Sequence, residues 1–209
     1  MLVKRTISKE EISGMPREGF NGKIVVIQSE AEAVAAVAFL KEQPFVGIDT
    51  ETRPSFIKGQ SHKVALLQVA TSEICFLFRL NLIKFPASLV SFMEDANVMK
   101  IGLSLKDDFM MLRKRAPFTP QAYIELQDFV RSFGIQDMSL QKIYAILFAS
   151  KISKSQRLSN WEADVLTDKQ KMYAATDAWA CYNIYSLLQE LSRTGDYEKE
   201  VVVETVDNN

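Results

Sequence analysis

A layered α/β fold is the fold class this sequence predicts, and three observations predict it. Short apolar runs of strand length come early in the chain. Strand and helix patterns then alternate. Two helix starts, at Ser29 and Thr167, carry complete capping signals.

The elements follow in order. Residues 1–22 are polar, with Gly14, Pro16, Gly19 and Gly22, and read as an arm that leans on the domain behind it. Lys23–Ile27 reads as a short strand. Ser29-Glu-Ala-Glu32 is a capping box, so an alanine- and valine-rich helix should run to about Glu42, where Pro44 closes it. Phe45-Val-Gly-Ile48 has the continuous apolar character of a buried strand. A polar loop spans Arg53–Ser61. His62–Ala70 and Ile74–Phe78 read as strands, and Val98–Leu103 as another that enters a helix from Ser104 to Arg115. Tyr123–Leu126 is a further short strand. Ser139 caps a helix to about Phe148. Thr167-Asp-Lys-Gln170 opens the longest helix, to about Leu191. Residues 193–209, acidic and polar around Val201-Val202-Val203, are expected to form a tail without fixed structure. The implied organisation is an arm at 1–22, one domain at 23–192 and the tail.

Composition narrows the classes. The 209 residues are 47% hydrophobic and 24% charged, which excludes collagen, a coiled coil and a wholly disordered chain. The two cysteines, Cys75 and Cys181, are far apart, so neither a disulfide framework nor a zinc-thiolate site is expected, and a reducing, cytoplasmic location fits. No apolar run approaches the ~20 residues that span a bilayer, and no signal peptide or membrane partner is expected. A formal charge of −1 argues against a generic polyanion coat. It leaves room for a nucleic-acid enzyme whose acidic site hides a positive balance elsewhere.

Three segments carry chemistry. Asp49 and Glu51 end the apolar run Phe45–Ile48, and residues two apart on a strand share a face. Two carboxylates pointing one way repel, and each raises the other's pKa unless a cation lies between them. Alone, the pair is equally a strand end with two solvated acids. Tyr173 and Asp177 lie four apart in the long helix, one turn from each other on one face. A core tyrosine bonded to a neighbouring acid explains that pair as well. In Lys100–Leu112 a strand enters a helix whose first turn holds Asp107 and Asp108. Ser104 with Asp107 resembles a capping pair, leaving Asp108 as the spare acid.

Taken together, Asp-x-Glu, then Asp, then Tyr-x3-Asp resembles the DEDD superfamily of 3′–5′ exonucleases in its tyrosine branch, and most of all the Werner-type exonuclease domain, with ribonuclease D more distant. Three stretches carry the resemblance: Gly47–Pro54 with Lys63–Ala70, Ile101–Leu112, and Leu158–Trp161 with Leu166–Ala178. It covers roughly residues 24–192. The histidine branch needs a histidine four residues before the last acid. Tyr173 stands there, and the single histidine of the chain is His62.

The resemblance implies an RNase H-like, DnaQ-like exonuclease fold: a mixed five-stranded sheet flanked by helices. It implies Asp49, Glu51, Asp108 and Asp177 as catalytic acids holding two divalent cations, Mg²⁺ or Mn²⁺. Asp108 is favoured over Asp107 because the family glycine lies six residues before its acid, as Gly102 does, and a leucine follows by four, as Leu112 does. Tyr173 would orient the attacking water and take its proton. Hard cations suit carboxylate oxygens, and two of them stabilise both the attacking and the leaving oxygen of a phosphodiester. The four acids account for −4 of the formal −1, so the remainder carries +3, a sign that suits a polyanion.

Substrate-binding candidates are Thr50, Phe56, Phe109 and Arg157. The two phenylalanines would stack on or wedge terminal bases. Arg157, four before Trp161 as in the Werner-type domain, would bind a phosphate. That domain has a tryptophan two residues after its third acid, where this chain has Met110. Lys58, His62 and Lys63 form a basic loop near the first acids, and Trp161 is expected in the core. The expected activity is 3′–5′ hydrolysis of single-stranded or 3′-recessed DNA or RNA to nucleoside 5′-monophosphates. An RNA 3′-end trimming enzyme, and a catalytically silent nucleic-acid-binding module of the same fold, stand as alternatives. The sequence names no protein partner.

Overall fold

The computed structural model describes residues 1–201. Its main sheet is built from β2 (Lys23–Ile27), β3 (Phe45–Thr52), β4 (Val64–Ala70), β5 (Ile74–Arg79), β6 (Met99–Gly102) and β7 (Tyr123–Glu125). The order is β2-β5-β4-β3-β6-β7. The sheet is mixed: β3 runs antiparallel to β4 and parallel to β6. It has six strands rather than the expected five, because both edges carry short parallel strands, β2 beside β5 and the three-residue β7 beside β6.

Two apolar layers flank the sheet. One packs α2 (Glu30–Lys41), α4 (Ala87–Met93) and α5 (Leu105–Arg113) against Val46, Ile48, Leu67 and Val69. The other packs α7 (Leu140–Phe148) and α8 (Asp168–Thr194) against Leu66, Ala70, Leu77 and Ile101. Strand β4 is buried along its whole length, as its near-continuous apolar sequence requires. The helix starts read from sequence form as expected: Ser29, Ser139 and Thr167 each accept from the amide three residues on. The connections add three short helices, α1 (Lys9–Gly14), α3 (Leu80–Ile83) and α6 (Leu126–Phe129), the last followed by a 3-10 turn at Val130–Phe133.

One glycine sets how α8 meets the sheet. A Cβ on Gly47 would stand 1.9 Å from the Ala178 carbonyl oxygen and 2.7 Å from the Tyr182 amide nitrogen. The backbones of β3 and α8 therefore touch there, as only glycine permits.

The first 22 residues are more than a leaning arm. Ser8 and Glu11 form a reciprocal capping box on α1, and Ile7, Ile12 and Phe20 are buried in the α8-side core. The Phe20 amide donates to the Thr176 hydroxyl at 3.0 Å, and Arg17 bridges Lys151 in a parallel backbone pair. Part of the expected tail is also ordered. Glu198–Lys199 (β8) pairs with Leu2–Val3 (β1), and Tyr197 packs on Phe133 with ring centroids 5.2 Å apart. The rest of that tail, 202–209, lies outside the described residues. Among the described residues, no helix is long and apolar enough to cross a membrane.

The entry into α5 differs from expectation. Ser104 makes no side-chain cap; it takes a left-handed conformation, φ 65°. That turn aims its own amide and that of Leu105 at the Glu125 carboxylate, which accepts both, at 2.9 and 2.7 Å. The acid that caps α5 therefore comes from β7, some twenty residues away, and not from Asp107.

Candidate active site

Gly47, Asp49 and Glu51 alternate along β3, so all three face α8. Asp177 sits in α8 one residue before Ala178, whose carbonyl meets Gly47. The contact at Gly47 thus brings the two elements' acids to one place: carboxylate oxygens of Asp49, Glu51 and Asp177 lie within 4.8 Å of one another. Asp108, the fourth expected acid, is not part of that triplet. It projects from the first turn of α5, where its Oδ1 accepts the Thr50 hydroxyl at 2.5 Å.

The electrostatics follow from crowding and burial. Desolvation first, then the charges of Asp108, Asp177 and Glu51, raise Asp49 well above the usual carboxylate range. Desolvation and the charges of Asp177 and Asp108 raise Glu51 to about 9, opposed by Arg157. Asp108 is raised to about 7 by burial against the pull of the Thr50 hydrogen bond. Asp177 is raised to about 7 by burial, against the opposing effects of the Tyr173 hydroxyl and the Lys154 charge. An isolated set of buried carboxylates takes up protons to relieve this repulsion. All-oxygen donors at this spacing fit a hard divalent cation, which would relieve it instead.

Tyr173 is buried beside Asp177, one turn earlier on α8, and its phenol is raised by desolvation and by the Asp177 and Glu51 charges. Its ring packs on Trp161, centroids 6.0 Å apart. Trp161 is in the core, as expected. Its loop is held by Arg79, which donates to the carbonyls of Ala163 and Asp164.

The remaining candidates divide. Thr50 bonds Asp108. Arg157 is exposed and within electrostatic reach of Glu51. Phe56 stands 84% exposed on the loop after β3. The base of that loop is tied by Arg53 and His62, both at Glu162, 3.4 and 3.8 Å away. Phe109 is a correction. It is 3% exposed and meets Phe118 and Tyr123 edge-on, at 6.1 and 5.2 Å. With Leu105 and Leu112 it forms the inward stripe of α5, so its ring is in the core and cannot stack on a base. Met110, next along the helix, is the exposed side chain.

Sequence reasoning missed Glu125 and Gln68. Gln68 stands directly across the β3–β4 ladder from Asp49, fully buried, with both amide atoms unpartnered among the described residues. Its signal was a lone amide inside the apolar strand Val64–Ala70. The signal for Glu125 was an acid ending a strand on the sheet edge beside a helix start, which only the register reveals.

The chain is similar to several known proteins. A profile described as 3′–5′ exonuclease matches residues 24–192. The mouse bifunctional 3′–5′ exonuclease/ATP-dependent helicase WRN is 31% identical over 163 residues, 75% of this chain and 11% of that protein. An Arabidopsis thaliana 3′–5′ exonuclease is 32% identical over 153 residues, 70% of this chain and 53% of that protein. The chain thus spans between about a tenth and about half of these relatives. Among solved structures, the Aedes aegypti Nibbler EXO domain superposes with a TM-score of 0.78 at 20% identity, covering 87% of this chain and 95% of that one. Escherichia coli RNase D gives 0.72 at 20% identity, covering 83% and 46%. At such identities these structures speak to the fold, an α/β sheet with helices on both faces.

Proposed function

The chain belongs to the 3′–5′ exonuclease family, and on that premise we propose that it removes nucleoside 5′-monophosphates from the 3′ end of nucleic acid with two divalent cations, Mg²⁺ or Mn²⁺. The working unit of this reading is residues 23–192, with the arm 1–22 and residues 193–209 outside it. The observation that carries the reading is the convergence of Asp49, Glu51 and Asp177 oxygens within 4.8 Å in a buried site. Bound cations would supply charge stabilisation for the oxygens that attack and leave during phosphodiester hydrolysis.

The chain's own groups take the following roles. Asp49, Glu51 and Asp177 would hold one cation. Asp108, which accepts the Thr50 hydroxyl, would help to hold a second. Tyr173, one turn before Asp177 on α8, would orient the attacking water through its hydroxyl. Arg157 at the rim meets the phosphate of the terminal nucleotide. Phe56 offers the exposed ring on which a base can stack.

The test is polarity. Matched DNA and RNA strands, labelled at either end, are digested with and without Mn²⁺. A linear strand should shorten from its 3′ end and release monophosphates, and a closed circle should survive. Equal cutting of circles, or no metal-dependent cutting of any strand, overturns the reading. The relative rates on the two strands separate a DNA enzyme from an RNA trimmer.

A further inference from the structure

A groove leads away from the acids over the N-terminal arm. At its inner end Tyr173 and Asp177 form a small slot with Ser153, Lys154 and Arg157. Ser153 and Lys154 also line a larger cleft of about 700 Å³ walled by the arm, a size within the ~300–1,000 Å³ of ligand sites. Among the described residues, that wall carries Lys9, Arg17, Lys142, Lys151 and Lys154 and no carboxylate side chain. Lys142 is paired with Asp137 at 2.7 Å. A neighbouring cleft of about 560 Å³, lined also by Lys169, by Glu18 and by Asp168, which is paired with Lys171, shares Arg17 and Ser153 with the first and Tyr173 with the slot, so the three are joined. With Lys142 paired, the other four cations on one wall of a chain of net charge −1 mark a concentration of positive potential.

The arm is fixed in place. Besides the Phe20–Thr176 bond, its Glu18 amide donates to the Lys151 carbonyl at 3.0 Å, and the Lys151 amide to the Pro16 carbonyl at 2.9 Å. These bonds tie Arg17 and Lys151 side by side. They also anchor the arm to α8 one residue before Asp177.

We propose that this groove is a phosphate track for the substrate strand itself, carrying the nucleotides upstream of the one being removed, with the arm's Lys9 and Arg17 as its far end. The inference rests on the exonuclease reading. A strand whose 3′ end lies among four acids must run out past them, and its backbone gains where cations replace its counterions. Nothing in this contact requires a base or a sugar type, so the track reads backbone charge alone. The family profile matches residues 24–192, so the arm lies outside the matched region.

The experiment compares kcat/KM on a dinucleotide and a ten-nucleotide strand, in the full chain and in a Lys9→Gln/Arg17→Gln variant, at several salt concentrations. Acetylation of Lys9 in the unaltered protein is followed by mass spectrometry with each strand. The ten-to-two ratio should fall ~10-fold in the variant. The salt slope for the long strand should flatten by about 1.4, two phosphates at ~0.7 each. Lys9 should be protected by the long strand and not by the dinucleotide. An unchanged ratio and slope, or a Lys9 acetylated equally with both strands, overturns the track. The acetylation readout needs no variant and stands even if the double substitution disturbs folding. Absence of 3′ shortening by the unaltered protein would instead overturn the exonuclease reading, and Lys9 protection would still report on the groove.

Discussion

Thr50 donates its hydroxyl to Oδ1 of Asp108 across 2.5 Å, joining the central strand to the helix that brings the fourth acid. The bond favours the charged carboxylate against the burial that raises it to about 7. Thr50→Val keeps the shape and removes the donor. Asp108 should then hold its proton to higher pH, and the Mn²⁺ midpoint for activity at pH 7 should rise ~10-fold, as expected for losing a bond to a charged group. At pH 9 the shift should shrink, because the carboxylate is ionised in both proteins. An equal shift at both pH values would assign Thr50 to substrate contact instead.

The crowded acids give the metal-free fold a pH dependence of definite sign. Asp108 and Asp177 at about 7 and Glu51 at about 9 all lie above their ordinary values of 3.8 and 4.5. The native state thus holds protons that the unfolded chain has released. Their stabilising effect is full below about pH 4 and is lost as pH rises through the native values. In EDTA the urea midpoint should fall from pH 5 to pH 8, below the range in which Lys100, depressed to about 8 by burial, works in the opposite direction. Saturating Mn²⁺ should flatten the decline. A midpoint that rises over that window would contradict the burial of these acids.

Tyr173 and Asp177 should separate in a metal titration. Tyr173→Phe keeps the ring against Trp161 and removes the hydroxyl, so the plateau of turnover should drop ~10²-fold with the Mn²⁺ midpoint unmoved. Asp177→Asn puts a neutral amide in the triplet, and the midpoint should move to higher metal as the plateau falls. A full plateau in Tyr173→Phe would reduce the tyrosine to packing.

Glu125 caps a helix from a distance. Glu125→Ala leaves the Ser104 and Leu105 amides without their acceptor and should cost about 1–2 kcal/mol, read as a lower urea midpoint at unchanged slope. Removing this carboxylate also removes a charge that raises Asp108, so metal affinity should not fall with stability. A joint fall would mean that α5 had moved.

Much of this architecture was legible because it is written in local spacing. Alternation placed Asp49 and Glu51 on one face, and the interval of four placed Tyr173 against Asp177. The capping boxes at Ser29 and Thr167 set where two helices begin. Ser8-x-x-Glu11 is the same signal, and it marks the helix of the arm. What escaped depends on partners remote in sequence: the Glu125 cap, the Gln68 amide across from Asp49, and the β1–β8 pair. Phe109 departs from its expected stacking role for another reason. It follows Asp108 directly, but adjacent residues on a helix point about 100° apart, and the stripe of Leu105, Phe109 and Leu112 marks the inner face.

The contact at Gly47 has a consequence for how this protein tolerates change. No side chain stands between β3 and α8 where Asp49 and Asp177 are set, so the interval between those acids is gauged by main chain against main chain. Even one methyl at Gly47 would meet the Ala178 carbonyl, drive the strand and the helix apart and widen the gap between the two carboxylates.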